Sequence, residues 1–371
     1  MEKKIIAILY GGRTGEHEVS CRSAASVVAS LDSEVYTPLL VGIDKRGNWY
    51  LQQTAAYTGS GDVRYLVIEA NEERRVTVVP GRGLAVGGRP LAVDLVFPVL
   101  HGTFGEDGTM QGLLEIAGIP YAGAGVLGSA LAMDKAMVKS VWQRADLPVV
   151  PFVTISKAEA AGSPQAIERL GDAARARFGM PLFVKPVRAG SSVGVGRVDS
   201  LEQLSKAVET ALRFDLDVMV EPCVIGREIE CSVVGNANPE AYGPGEIISS
   251  HAFYDYKAKY LDPDGARLVI PADIPEKGRA EVRSLAVKAY RAAGIEGMAR
   301  VDFFLEAKSG AILLNEINTI PGFTNISMFS RMCEASGLRY ADLLGRIITL
   351  GLERHRAHEG LQYFFSPATS G

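Results

Sequence analysis

The sequence predicts an α/β amino-terminal domain followed by a mixed α+β region, and three stretches carry that expectation. Ile5 to Tyr10 is a continuous apolar run closed by Gly11-Gly12 and followed by EHEVSCRSAASVVASL, the pattern of a buried parallel strand feeding a helix. Residues 183–198, FVKPVRAGSSVGVGRV, set Lys185 inside an apolar strand ahead of a glycine-serine loop. Residues 300–327, RVDFFLEAKSGAILLNEINTIPGFTNIS, hold two strand-like runs around a polar Lys308-Ser309-Gly310 turn, which reads as an antiparallel hairpin.

The chain has 371 residues, enough for two or three domains, and 47% hydrophobic with 22% charged residues excludes disorder. A net charge of -4 leaves no basic footprint for nucleic acid, so any phosphate binding must rest on local positive charge. The apolar run after MEKK is too short for a signal peptide or a membrane span, and a cytoplasmic location is expected. Cys21, Cys223, Cys231 and Cys333 form no C-x-x-C pair, so reduced structural thiols are expected, with neither disulfides nor zinc.

Along the chain, Leu39 to Ile43 and Val93 to Val99 supply further strands of the first unit, and residues 51–90 stay unassigned. Loops at the carboxyl ends of such strands carry ligand sites, which makes Glu18 and His101 candidates to meet in one crevice. A second unit starts near Gly123 with the helical stretch SALAMDKAMVKSVWQRA, continues through strands near Phe152 to Ile155 and Pro181 to Val187, and ends near Glu221. A third holds the loop AFYDYKAKYLDPDGA, a helix from Glu281 to Ala293 stopped by Gly294, and the acidic hairpin. The expected divisions are therefore 1–123, 124–221 and 222–371.

Side chains alternate along strands, so Arg300 and Asp302 share one face, as do Glu316 and Asn318. Pairing Phe304 with Leu314 would set Asp302 opposite Glu316, and two facing carboxylates repel unless a cation holds them. Two acids and an amide suit magnesium bound to substrate phosphates. A lysine within an apolar strand needs an anionic partner, and the amides and hydroxyls of the Gly190 to Gly196 loop, Ser191 and Ser192 among them, suit phosphate. Lys135 is a candidate for the same phosphates. Glu221 would accept from a ribose hydroxyl, and Pro222 and Val224 offer backbone groups to an adenine edge. Against these stand blander readings: a solvated strand face, a plain hairpin turn, a surface lysine and a structural histidine. No P-loop is present, and Gly123 to Gly128 matches G-x-G-x-x-G without a clear preceding strand.

Taken together, GGRTGEHEVS, LHGTFGEDGTMQG, MDKAMVK, KPVRAGSSVGV, YDYKAKY and RVDFFL with NEINTIPGFTNIS resemble the D-alanine-D-alanine ligases of the ATP-grasp superfamily, in the same order, from about Lys4 to about Ile348. The resemblance implies a Rossmann-like amino-terminal domain followed by a two-lobed ATP-grasp fold. It implies an ATP-dependent joining of two D-alanines through an acyl phosphate for peptidoglycan precursors. Lys135, Lys185 and Lys259 would hold ATP phosphates with Ser192 and Asn315 beside them, and Glu221, Val224 and Glu228 the adenosine. Asp302, Glu316 and Asn318 would bind two magnesium ions, for which manganese can substitute. Glu18 would anchor the first substrate's ammonium near His101, in a hydrogen-bonded set with Ser191 and Tyr260 that orders the 254–260 loop as a lid. Arg300 and the Gly322 amide would stabilise the oxyanion of the tetrahedral intermediate, and Ser327 with Met328 would fix the second carboxylate. A homodimer with D-alanine and ATP as its small-molecule substrates, and neither nucleic acid nor membrane as a partner, completes the implication.

Tyr260 matches dipeptide makers, whereas D-alanine-D-lactate ligases look different there and carry histidine. Departures from the family pattern are Ala189, Pro222-Cys223 and Met328, which bear mainly on the adenine pocket. Competing readings are an ATP-grasp ligase for another amino or hydroxy acid, an ATP-binding regulator without turnover, and a nicotinamide oxidoreductase resting on Gly123 to Gly128 alone.

Overall fold

The structure is a computed structural model and describes residues 2–53, 56–60, 63–249 and 266–362. Strands β1 (Lys4–Gly11), β2 (Tyr36–Ile43) and β3 (Trp49–Leu51) lead into two small sheets and then β9 (Leu95–Val99). The small sheets fill the stretch the sequence pattern left unassigned: β4 (Tyr57–Ser60) with β5 (Val63–Leu66), and β6 (Val76–Val79), β7 (Gly83–Val86) and β8 (Arg89–Pro90). The first main sheet has the order β3-β2-β1-β9, with β1 parallel to both β2 and β9. Helix α1 (His17–Ser30) buries Ser20, Cys21, Ala24 and Val27, and α2 (Thr109–Ala117) follows the loop after β9. Continuous apolar runs in β1 and β9 fit strands covered on both faces.

The second sheet is antiparallel, in the order β10-β13-β11-β12, from β10 (Val153–Ser156), β11 (Leu182–Pro186), β12 (Gly196–Val198) and β13 (Asp217–Pro222). The third, β16-β15-β14-β17-β18, joins β14 (Gly226–Val234), β15 (Glu240–Ser249), β16 (Ala266–Val269), β17 (Met298–Glu306) and β18 (Ile312–Asn318), again antiparallel. Helix Glu276–Ala292 packs Val282, Leu285, Ala286, Ala289 and Tyr290 against it, the face the sequence periodicity selects, and Gly294 follows at a φ of 62°.

The predicted helix over residues 129–145 is two helices. Asp134 leaves the helical region and its carboxylate accepts from the Met137 amide, so α3 (Val126–Met133) stops and α4 (Lys135–Arg144) starts afresh. Trp142 on α4 is fully buried and donates to the Ala289 carbonyl at 3.0 Å, tying α4 to the third sheet's core. The last helix, Tyr340–Glu359, joins the core of the first sheet together with Phe323 and Phe329. This core therefore spans the first and third sheets and fixes the loops between them. Cys21, Cys231 and Cys333 are buried and free of disulfides, and burial pushes the Cys21 and Cys333 thiols up to about 12. Among the described residues, no helix is long and apolar enough to cross a membrane.

Candidate active site

One cavity of about 540 Å³ lies where the second and third sheets meet the loops that follow β1 and β9. The hairpin β17–β18 forms one wall. Asp302 pairs with Glu316 and Arg300 with Asn318, as the sequence pattern suggests, but Phe303 rather than Phe304 faces Leu314. The difference is a bulge between Asp302 and Phe303, which inserts Asn315 into the second strand. As a result Asn315, Glu316 and Asn318 all line the cavity.

Arg300 is held by a fork: Nε and Nη2 donate to the two Asp302 oxygens at 2.7 and 2.6 Å, and Nε lies 3.1 Å from Glu230. Burial works against its charge, but Asp302 and Glu230 outweigh burial, and the guanidinium stays charged. Asn318 donates from Nδ2 to Asp302 at 2.9 Å. Among the described residues no group of three or more histidines, cysteines, aspartates or glutamates is placed to hold a metal ion. Asp302, Glu316 and Asn318 instead form an all-oxygen partial set that fits magnesium only with further oxygens supplied by a phosphate.

A second wall carries the lysines. Lys185 on β11 meets its required anion in Glu221, 2.6 Å away, and also donates to Asn315 Oδ1 at 3.4 Å. The other Glu221 oxygen is taken by Lys139, a fully buried lysine on α4. Burial raises the Glu221 pKa, but Lys139 and Lys185 more than reverse this and leave it lowered, so the carboxylate is ionised. Both oxygens are thus engaged by lysines. Glu221 still lines the cavity, and each of its oxygens keeps a lone pair for a further donor. Lys135, brought to the start of α4 by the Asp134 break, donates to the Ala189 carbonyl at 2.9 Å and lies 3.5 Å from Glu316. Ser191 and Ser192 adopt φ values of 50° and 57°, and with Val224 and Glu228 they complete this side.

The third wall corrects a second expectation. Glu18 lies outside the cavity, exposed on α1 and paired with Lys45 at 2.5 Å. Glu16, two residues earlier, takes the place: its carboxylate accepts from Ser191 Oγ and lines the cavity. The carboxylate fits because Gly102, at a φ of 73°, has no Cβ; one built there would stand 2.6 Å from Glu16 Oε2. His101 is buried, with Nε2 3.0 Å from Ser23 Oγ and Nδ1 2.9 Å from the Ile320 carbonyl. Burial lowers its pKa, which keeps the ring neutral. Glu106, which sequence reasoning passed over, accepts from the Gly102 and Ile320 amides at 2.8 and 3.2 Å. Burial, and then Glu16, push its carboxyl up to about 8.

Ser327 and Met328 do not line the cavity. Ser327 Oγ accepts from the Thr324 amide at 3.0 Å, behind Gly322, and the Met328 side chain is buried against Ile247 and Met332. What Met328 can offer an anion is its backbone amide, at the start of helix Met328–Ala335. Gly322 lines the cavity, whereas Lys259 and Tyr260 lie outside the described residues.

Glu106 carries a pH prediction. Its folded pKa, about 8, lies above the unfolded value near 4.5, so the native state holds a proton that the unfolded chain has released. The stability tied to it is full below the unfolded value and is lost as pH rises through about 8. Glu106→Gln is expected to flatten the fall in melting temperature between about pH 5 and 8.5. Equal slopes in both proteins would contradict the raised pKa.

The sequence matches the D-ala D-ala ligase N-terminus family over residues 5–124 and the D-ala D-ala ligase C-terminus family over residues 141–349. A D-alanine–D-alanine ligase of Treponema denticola is 46% identical over 363 residues, covering 96% of this chain and 98% of that protein. The solved D-alanine-D-alanine ligase of Coxiella burnetii superposes with a TM-score of 0.81 at 36% identity, over 96% of this chain and 97% of that one. The VanG D-Ala:D-Ser ligase of Enterococcus faecalis superposes at 0.79 with 35% identity, over 94% of this chain and all of that one. Two matches that together span most of the chain, and identity carried across its whole length, place it: the chain belongs to the D-alanine–D-alanine ligase family.

Proposed function

We propose that the protein joins two D-alanines in this cavity at the expense of ATP, through an acyl phosphate, for peptidoglycan precursor synthesis. Family membership supports the overall reaction. The observation that carries the site is that one cavity collects Glu16 and Ser191, the lysines Lys135 and Lys185, and the Arg300, Asp302, Glu316 and Asn318 hairpin face. Phosphoryl transfer is catalysed chiefly by position and charge neutralisation, and this is a set of cations and oxygen ligands around one space.

In this reading Lys135 and Lys185 hold the ATP phosphates beside the Ser191 to Ser192 turn and Asn315. Glu221, Val224 and Glu228 face the adenosine. Asp302, Glu316 and Asn318 would hold two magnesium ions, or manganese, which when bound supply charge neutralisation to the phosphates. Glu16, in place of Glu18, anchors the ammonium of the first D-alanine and orients its carboxylate toward the γ-phosphorus. That carboxylate takes the phosphoryl group and ADP leaves. The amine of the second D-alanine then attacks the acyl carbonyl, and Arg300 with the Gly322 amide takes the oxyanion before phosphate departs. The Met328 amide receives the second carboxylate. The family resemblance would add Lys259 for the phosphates and Tyr260 for the hydrogen-bonded set at the first substrate, both outside the described residues. The same reading includes a cytoplasmic homodimer and divisions near residues 123 and 221; the separation of the three main sheets supports the divisions.

The Glu16 assignment separates sharply from the alternative. Glu16→Gln is expected to raise the KM for D-alanine at the first subsite at least about tenfold, the size of one charge-assisted contact. Glu18→Gln should leave it within about twofold, as a surface pair does. The reverse order of effects in steady-state kinetics would return the role to Glu18.

A further inference from the structure

A second cavity, of about 250 Å³, opens at the carboxyl ends of β1, β2 and β9, next to the catalytic one but lined by different side chains. Ligands of open α/β sheets bind at this end of the strands. Arg13 and Arg46 line it, together with Thr103 and the apolar surfaces of Trp49, Phe104 and Met110. Arg13 lies over the Phe104 ring, 4.5 Å from its centroid, and among the described residues neither guanidinium has a carboxylate partner. Phe104 is 41% exposed and holds a φ of 65°, a region a bulky residue seldom occupies. Its amide donates to Asp107 Oδ2 at 2.8 Å, which pins the ring in that position. Nothing in the proposed ligation uses these groups. Two cations beside an aromatic and aliphatic wall, in a space smaller than most drug-sized pockets, suit a small flat anion.

We propose that this cavity binds a small anion with a flat apolar body, an aromatic carboxylate or phosphate monoester, and that its occupancy adjusts the first D-alanine subsite. The adjustment rests on the ligase reading. Its route is short: Thr14 lines the second cavity and its Oγ1 accepts from the Glu16 amide at 3.2 Å. A Cβ on Gly102 would stand 3.1 Å from Thr14 Oγ1 and 2.6 Å from Glu16 Oε2, so the two loops pack without slack. A ligand that moves Thr14 or Thr103 therefore moves the Glu16 carboxylate.

The test reads Trp49 fluorescence in the full-length protein, since the other tryptophan, Trp142, is fully buried. Benzoate or phenyl phosphate is expected to quench it saturably, and the two probes tell carboxylate from phosphate ester. Inorganic phosphate, lacking a ring, should not saturate over the same range. Arg13→Gln and Arg46→Gln should each weaken the midpoint about tenfold, and Asp302→Asn should leave it unchanged. The effective probe should also shift the wild-type KM for D-alanine about fivefold or more, and that of Arg13→Gln far less. Absence of saturable quenching, wild-type midpoints in both arginine variants, or loss of the signal in Asp302→Asn would overturn the site. Binding with an unmoved KM would overturn the coupling. The fluorescence arms need no turnover, so a failure of the ligase reading would leave them standing.

Discussion

Arg300→Gln is expected to lower kcat with D-alanine by about 10² to 10³, the effect of removing one preorganised oxyanion donor. Arg300 is the third residue of β17 with its guanidinium fixed by Asp302 and Glu230, so in the proposed reaction it would need no reorganisation as charge develops on the attacked carbonyl. The same contacts predict a structural cost. Glutamine leaves Asp302 and Glu230 facing each other across β17 and β14, where they are register partners, with less positive charge between them. Breaking a fully buried pair costs roughly 3–5 kcal/mol, and this partly exposed one should cost less. The two effects are separable, because Arg300→Lys keeps the charge but loses the fork to Asp302. Arg300→Lys should recover most of the melting temperature and little of kcat. Recovery of both would make Arg300 a charge-balancing residue only, and an unchanged kcat in Arg300→Gln would remove it from the chemistry.

Lys139→Met is expected to destabilise the protein by roughly 1.5–3 kcal/mol, the size of one hydrogen bond to a buried charged group. Lys139 is fully buried and donates to Glu221, which in turn holds Lys185 at 2.6 Å. Burial lowers the Lys139 ammonium to about 8, which leaves it charged near neutral pH. Without it Glu221 retains one lysine in a site with little water, and Lys185 is drawn harder to the carboxylate and away from phosphate. A higher KM for ATP should therefore accompany the lower melting temperature. The double variant Lys139→Met with Glu221→Gln should lose further stability, since Lys185 is then left without the carboxylate that held it at 2.6 Å. A loss below about 1 kcal/mol in the single variant, read by denaturant midpoint, would contradict the buried triad.

The hairpin was legible in the sequence because its signal is local. Alternation gave the shared faces, and the Asp302–Glu316 pairing followed, but the bulge at Asn315 did not, since one extra residue leaves no mark in composition. Lys185 was legible for a similar reason: a cation in an apolar strand announces a partner. That the partner is Glu221, with Lys139 behind it, depends on α4 packing on the third sheet so that Lys139 reaches the end of β13, which no spacing encodes. The choice between Glu16 and Glu18 turned on helix phase. The buried residues Ser20, Ala24 and Val27 set the inward face of α1, and Glu18 is off it, whereas Glu16 precedes the helix in the loop after β1. That signal was present and outweighed by the motif's second acid. Glu106 could be found only through its surroundings, because a glutamate in a glycine-rich loop is ordinarily solvated. The helix break at Asp134 was hidden by apolar periodicity on both sides, although aspartate at an N-cap is a known marker.

The most direct test is to incubate the protein with ATP and magnesium and with D-alanine alone, D-alanine plus D-serine, or D-alanine plus D-lactate, following phosphate release and identifying products by mass. Phosphate release with D-alanine alone, matched by D-alanyl-D-alanine in equal amount, is the predicted result. Release confined to one of the mixtures, with only the mixed product formed, or ATP binding without any condensation product, would contradict it.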